Sequence, residues 1–567
     1  MNKNLIFLES ATKKRTIESI LGSSYVIFAT SGHLWDLKKT GFYNLGVDLV
    51  NFTPTYEVIP EKKKFITLWK EYLARENISA IYLATDPDRE GEAIAHETVK
   101  LLDLKVSQYQ RLLFYEITPH SIREALNNPL TIDEKLVEAQ LSRQVLDRMI
   151  GFCLSTMLQR KLQALSAGRV QSIVLKLITK RELLIRNYEK KKDYIICGIC
   201  QVNGLKITLR QVNNLGELIV YKEKKEAEAV KEKLSLLFQL NSKKEEPKLI
   251  LPKSPLITSL LLFEAKSQLG YSVAQTTQLA QKLYEGVWIS TKKKQVGLIT
   301  YPRTDSTRIN REFANQTYQY IQKKWGSNYC NFHPAWEKKG KKINVQDAHE
   351  AIHPTYLDYR PEEIKNSLSE EEYQLYKLVF NHTLASLMSP AKINKITYHF
   401  LNNKCYHFTT TERICQFAGF LACAPETYFP TYNVKLKSEL AEISQLEAKR
   451  IEIQEYLENK PVRYNEGSVV QELEKLGIGR PSTYNTFGRI LIKRGYVELN
   501  EKGQFIPTEL GFTVNNWLQD HFSSLINEGY TAALEAELDK ISQGENNYLN
   551  FIKKFWEDFS SQIKNLK

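Results

Sequence analysis

The segment Asp86-Pro87-Asp88-Arg89-Glu90-Gly91-Glu92 packs four carboxylates into seven residues. Like charges at that density repel unless a cation or neighbouring bases neutralise them. Asp86, Asp88 and Glu90, at i, i+2 and i+4, offer the hard oxygen donors that suit Mg2+, an ion that takes one or two carboxylates beside a phosphate. The competing role is structural, because acids ahead of a helix cap its first turn and complement its dipole. Two or three acids serve that purpose, and the fourth favours the metal. Glu9 and Lys13 stand four residues apart. On a helix such a pair adds little stability. Beside the acidic loop, the same two residues supply a proton-transfer acid and a cation for a phosphate. A third element is Tyr301-Pro302-Arg303, which follows the apolar, strand-like run Gly297-Leu298-Ile299-Thr300. A phenol, with pKa about 10, is a weak nucleophile unless cations lower it or a base takes its proton. Arg303 supplies that field and a fork for a phosphate oxygen.

These groups need elements that bring them together. The first 125 or so residues alternate strand and helix, with strands over Asn4–Leu8, Tyr25–Thr30 and Ile78–Thr85. That alternation predicts a parallel α/β sheet, whose ligand sites lie at the carboxyl ends of strands, where Glu9 and Asp86 both fall. From Glu134 to Arg186 the pattern is helical. Strand-like stretches run from Tyr194 to Leu249 and from Ile396 to Ile453, and a helical block from Ser259 to Leu387, carrying Tyr301, interrupts them. The arrangement predicts an inserted domain that swings as a unit. After Glu466 come a helix, a turn at Gly477-Ile478-Gly479 and a second helix from Ser482 to Lys493, resembling a helix-turn-helix. The fold class expected is multidomain: α/β, plus α, plus β.

Composition narrows the partners. A chain of 567 residues is too long for one core, and 42% hydrophobic with 25% charged residues excludes wholesale disorder. The net charge of +13 points to a polyanion. No apolar run approaches the roughly 18 residues of a membrane span. The short run Leu5–Leu8, cut by Glu9, is too brief for a signal peptide, so the protein is expected inside a cell. Seven scattered cysteines fit reduced thiols, and the lone Cys197/Cys200 pair, on a predicted strand, reads as structural rather than as a zinc site. The lysine runs Lys292–Lys294 and Lys338–Lys342 read as solvated loops.

Seven motifs occur in one order: Phe7-Leu8-Glu9-Ser10 with Lys13; Ser31-Gly32-His33-Leu34-Trp35-Asp36-Leu37; Asp86 to Glu92; Ser166-Ala167-Gly168-Arg169-Val170-Gln171-Ser172; Tyr301-Pro302-Arg303-Thr304-Asp305-Ser306; Asp347-Ala348-His349-Glu350-Ala351-Ile352; and Gly477 to Tyr484. Together they resemble the type IA DNA topoisomerases, the bacterial topoisomerase I branch in particular. The resemblance implies a toroid. A Toprim α/β domain occupies 1–128, and a helical single-strand-groove domain combines 129–190 with 456–567. A β-rich arch combines 191–258 with 391–455, and a helical domain over 259–390 carries the nucleophile.

It further implies that Tyr301 forms a 5′-phosphotyrosine, that Arg303 and Lys13 stabilise charge on the phosphate, and that Glu9 serves as general acid and base. Asp86, Asp88 and Glu90 would hold Mg2+. His33, Arg169, Gln171, His349, Arg480, Ser482 and Thr483 would hold the strand, while Arg143, Arg148 and Phe152 would read or stack a base upstream of the break. The implied partner is DNA, at single-stranded segments of negatively supercoiled duplex, bound by a cytoplasmic, nucleoid-associated monomer, or one in an organellar stroma or matrix. Neither ATP nor zinc is expected, and no G-x-x-x-x-G-K-[ST] motif occurs. Trp35, Lys38, Gln144 and His353 depart from residues usual in the family, and none is a catalytic group. Decatenation of the topoisomerase III kind, a Toprim nuclease with a structural Tyr301, and a non-catalytic single-strand-binding protein are the alternatives.

Overall fold

The structure, a computed structural model, describes residues 3–188, 193–332, 334, 349–456 and 460–564. The strand Lys3–Leu8 lies inside a parallel sheet, between Tyr25–Ala29 on one side and Ile78–Leu83 on the other, with Tyr109–Arg111 beyond. Leu5, Ile6, Phe7 and Leu8 are all buried, as a strand covered on both faces requires. From that central strand the chain first turns to the Tyr25–Ala29 side, then crosses to the other. The switch in direction opens a crevice at the carboxyl ends of Lys3–Leu8 and Ile78–Leu83, the place where such sheets bind ligands. Glu9 follows one strand and Asp86 the other.

The helices Glu134–Leu162 and Arg169–Tyr188 pack with Glu466–Lys475, Glu528–Gln543 and Tyr548–Lys564. Their shared core includes Leu146, Ile150, Leu175, Leu473, Leu538 and Ile552, so two distant chain segments build one apolar body. The two strand-like stretches close on each other. Asp193–Val202, Leu205–Val212, Leu237–Ile250, Ala391–Asn402, Tyr406–Phe417 and Gln445–Tyr456 form a barrel in which every neighbouring pair is antiparallel. Closure leaves no free edge. Cys197 and Cys200, an odd number of residues apart on one strand, face opposite sides and belong to separate apolar clusters, so they cannot share a ligand. The block between the barrel halves is mainly helical, and its core is continuous with that of the parallel sheet: Ile6, Leu8 and Ile117 meet Tyr284, Leu298 and Tyr301.

Two local expectations are corrected. The second helix after Gly479 begins at Phe487, not Ser482. The Thr483 hydroxyl accepts from the Arg480 amide and donates to the Arg480 carbonyl, holding residues 481–486 in turns. The run before Tyr301 is not a strand. Ile299 makes a single bridge to Pro354, and the Tyr301 amide donates instead to the Tyr115 carbonyl at 2.8 Å. Lys338–Lys342, Asp347 and Ala348 lie outside the described residues. Among the described residues, no helix is long and apolar enough to cross a membrane.

Candidate active site

The acidic loop is built on Gly91. A Cβ there would lie 2.1 Å from the Asp86 carbonyl, so the loop folds over the helix Arg89–Leu101 at a distance that excludes a side chain. Asp88 caps that helix, accepting from the Gly91 amide at 2.8 Å. Arg111, fully buried, holds the loop from beneath. Its guanidinium donates to the carbonyls of Leu83, Thr85, Asp86 and Leu112 and to Glu92 at 2.8 Å.

Tyr301 arrives from the helical block. Its hydroxyl donates to Asp88 Oδ2 at 2.7 Å, and Arg303 reaches Glu90 at 3.2 Å and Asp88 at 3.8 Å. Lys13 does not pair with Glu9. The helix Ala11–Leu21 starts after Ser10, which leaves Glu9 outside it, and the Lys13 ammonium binds Asp86 and sits 4.9 Å from the Tyr284 ring centre. Glu9 keeps a buried oxygen, Oε2, without a hydrogen-bond partner.

Charge explains the protonation states. Burial, then repulsion from Asp86 and Asp88, pushes the Glu9 carboxyl up to about 8, with Lys13 and Arg303 pulling the other way. Burial alone would raise Asp88, but Arg303, the Gly91 amide and the Tyr301 hydroxyl outweigh it and hold it below the usual range. Burial and the adjacent acids keep the Tyr301 phenol well above its ordinary value, so it is neutral as it stands. His33, against the burial that opposes its charge, is lifted to about 9 by Glu97 at 2.6 Å and by Glu90 at 3.8 Å. His349 is buried, which lowers it, and its Nε2 is 2.7 Å from the Pro87 carbonyl.

Asp86, Asp88 and Glu90 thus each meet a protein group, and no three His, Cys, Asp or Glu side chains among the described residues stand ready to chelate a metal. Even so, the crevice fits a cation. Glu9, Asp86, Asp88, Glu90 and Glu97 face Lys13, Arg303 and His33, five acids against three bases, and Glu9 Oε2 is buried without a hydrogen-bond partner.

A cleft of about 60 Å3 opens beside these groups, lined by Asp88, Arg303, His349, Arg143, Arg480 and Ser482 among others. Residues 131–553 match the DNA topoisomerase family, and residues 4–117 match the Toprim domain. The chain belongs to the type IA DNA topoisomerases. It is 36% identical to DNA topoisomerase 1 of Mycoplasma genitalium and 34% to that of Mycoplasmoides gallisepticum, in each case across 100% of this chain and 84% of the relative. It also superposes on full-length topoisomerase I of Thermotoga maritima with a TM-score of 0.81 and 34% identity, covering 99% of this chain and 90% of that one. The expectations of a Toprim-containing type IA enzyme, a topoisomerase I acting on DNA, are met.

In this topoisomerase the remaining sequence candidates divide into three groups. Arg143, Arg169 and Arg480 converge on Glu535, a fully buried carboxylate, at 2.9, 2.6 and 3.9 Å. Arg480 also binds Asp539, which takes Arg89 as well, and Arg169 binds Asp147 at 2.9 Å. The Arg148 guanidinium stacks 4.4 Å from the Phe152 ring centre and pairs with Asp36 at 2.9 Å. Gln171 donates to the Ser166 carbonyl at 3.2 Å and Thr483 is spent on its own turn, so both point into local structure. Sequence reasoning missed Arg111, Glu535, Asp539, Glu97 and Tyr284. Glu535 did carry a signal: it lies beside Thr531, Leu534 and Leu538 on the apolar face of its helix, where a lone acid needs partners.

Proposed function

We propose that this type IA topoisomerase relaxes negatively supercoiled DNA by breaking one strand with Tyr301. The Tyr301 phenol loses its proton to solvent as its oxygen attacks the scissile phosphorus, the bond to the 3′ oxygen breaks, and a 5′-phosphotyrosine forms. Glu9, protonated up to about pH 8, gives its proton to the departing 3′ oxygen and takes it back when the strand rejoins. Arg303 and Lys13 balance charge on the phosphate, the main task of a protein in phosphoryl transfer. One phosphodiester is exchanged for another, so no nucleotide is consumed and torsional strain drives the cycle. Single-stranded segments would lie along Arg143, Arg148, Phe152, Arg169, Arg480, Ser482 and His349, with His33 at the edge of the acids. Asp86, Asp88 and Glu90 would hold Mg2+, which supplies charge neutralisation for strand rejoining.

The single observation that carries this reading is the docking of the Tyr301 hydroxyl on Asp88, against the acids of a different part of the chain. The phosphate must enter between them, so the contact has to open for DNA. The test is capture: mix the protein with end-labelled single-stranded DNA, quench with detergent and map the labelled peptide. The adduct is expected on Tyr301 and absent from Tyr301→Phe. A label on another residue, or a Tyr301→Phe protein that still cuts, refutes the reading.

A further inference from the structure

A second cavity, of about 720 Å3, lies at the same junction but outside the groups just described. Ile117 and Val296 line it, and Val296 adjoins Gly297, four residues before Tyr301. One wall comes from the sheet side: Arg15 of the helix Ala11–Leu21 and Arg123 of the helix Pro119–Asn127. The other comes from the hairpin Val287–Ile289/Lys294–Val296, with Trp288, Lys293 and Lys294. The Thr16 hydroxyl donates to the Glu285 carbonyl at 2.7 Å, fastening the two walls next to the cavity.

The lining holds four cations and no carboxylate. Among the described residues no ion pair engages Arg15, Arg123 or Lys293, and Lys294 lies 6.0 Å from the Tyr359 ring centre. Of the nearby acids, Glu18 pairs with Lys14 at 3.6 Å, and Glu124 lies in the adjoining hollow, 3.8 Å from the His120 ring. Trp288 is 54% exposed between the buried Val287 and Ile289, an indole turned out of its own core.

These features select the ligand. The volume falls within the roughly 300–1,000 Å3 of small-ligand sites. Four unneutralised cations disfavour an apolar occupant, and a bare anion makes no use of an exposed indole. A base on an aromatic face, flanked by phosphates on cations, uses both. We propose that this cavity is a second contact for single-stranded DNA, with a base against Trp288 and phosphates against Arg15, Arg123, Lys293 and Lys294. It gives the Lys292–Lys294 run a function beyond a solvated loop. Because the walls come from both sides of the Tyr301 junction, the cavity is complete while that junction is closed. The proposal rests on DNA as the partner and on none of the groove contacts assigned above.

The full-length protein and an Arg123→Gln/Lys293→Gln variant test it with an iodouracil-substituted single strand. In the wild type, photo-cross-linking is expected on the peptide containing Trp288. In the double variant that cross-link is lost, and the slope of log Kobs against log salt becomes shallower by about 1.4, at about 0.7 per phosphate contact. Detergent-trapped Tyr301 adduct per bound strand stays at the wild-type level. A variant with the wild-type slope, or cross-links confined to other peptides, overturns the proposal. Absence of any Tyr301 adduct in the wild type refutes the cleavage reading instead and leaves this test intact.

Discussion

The Tyr301 hydroxyl and Asp88 Oδ2, 213 residues apart in the chain, meet at 2.7 Å. Next to that contact the Tyr301 amide donates to the Tyr115 carbonyl, a backbone bond that crosses the same junction. Exchange of this amide therefore reports how often the junction opens. Asp88→Asn keeps a good helix cap but replaces a charged acceptor with a neutral one. A bond to a charged group exceeds a neutral one by about 1 kcal/mol, so the Tyr301 amide should exchange roughly fivefold faster in the variant. An unchanged rate would show that the phenol contact does not hold the junction shut.

The raised Glu9 carboxyl gives a pH signature. As a general acid it acts while protonated, so cleavage of a single strand in chelator should hold up to about pH 8 and fall about tenfold per unit above it. Glu9→Gln should cleave slowly and without that break. Stability shifts in a matching way. A carboxyl raised from 4.5 to about 8 on folding leaves the folded state with more protons than the unfolded one across that window. Stability then falls as pH rises through it, and Glu9→Gln should remove that slope from urea unfolding curves.

What the sequence disclosed was governed by distance along the chain. Strand alternation located Glu9 and Asp86 at adjacent strand ends, because the hydrophobic pattern and the parallel-sheet rule are local signals. The partner of Lys13 was not legible for the same reason. Spacing offered Glu9 only as a weak helical pair, but the helix starts after Ser10, and the ammonium turns to Asp86, 73 residues away. Closure of the barrel and the convergence of Arg143 and Arg169 on Glu535 depend on contacts hundreds of residues apart, which no periodicity encodes. The turn at Thr483 was missed because a hydroxyl competing with a helix looks, in sequence, like a helix cap.

Arg111 tests whether the acidic loop depends on its support. The guanidinium is fully buried and satisfies three loop carbonyls as well as Glu92. Arg111→Met keeps the unbranched stem but strands these acceptors, together with a buried carboxylate. Breaking one side of such a buried pair costs about 3–5 kcal/mol. The first denaturant transition should move to lower urea, with the Tyr301 adduct lost at concentrations where wild type still forms it. A variant as stable as wild type would assign the loop's geometry to Gly91 and the helix cap alone.

Glu535 gives the sharpest sign. Burial would raise its carboxyl, but Arg143, Arg169 and Arg480 outweigh it and hold the group far below the usual carboxylate range. Buried N–H groups of Arg143 and Arg169 remain without a partner. Glu535 sets the position of all three guanidiniums in the proposed groove. Removing a negative charge from a DNA-binding face should tighten binding if only net charge matters. If the carboxylate serves to position the arginines, Glu535→Gln should weaken single-strand binding at fixed salt, by about tenfold for every 1.4 kcal/mol of lost preorganisation. Fluorescence anisotropy of a labelled strand distinguishes the two. Tighter binding would mean that Glu535 competes with the phosphates for these arginines instead of setting them in place.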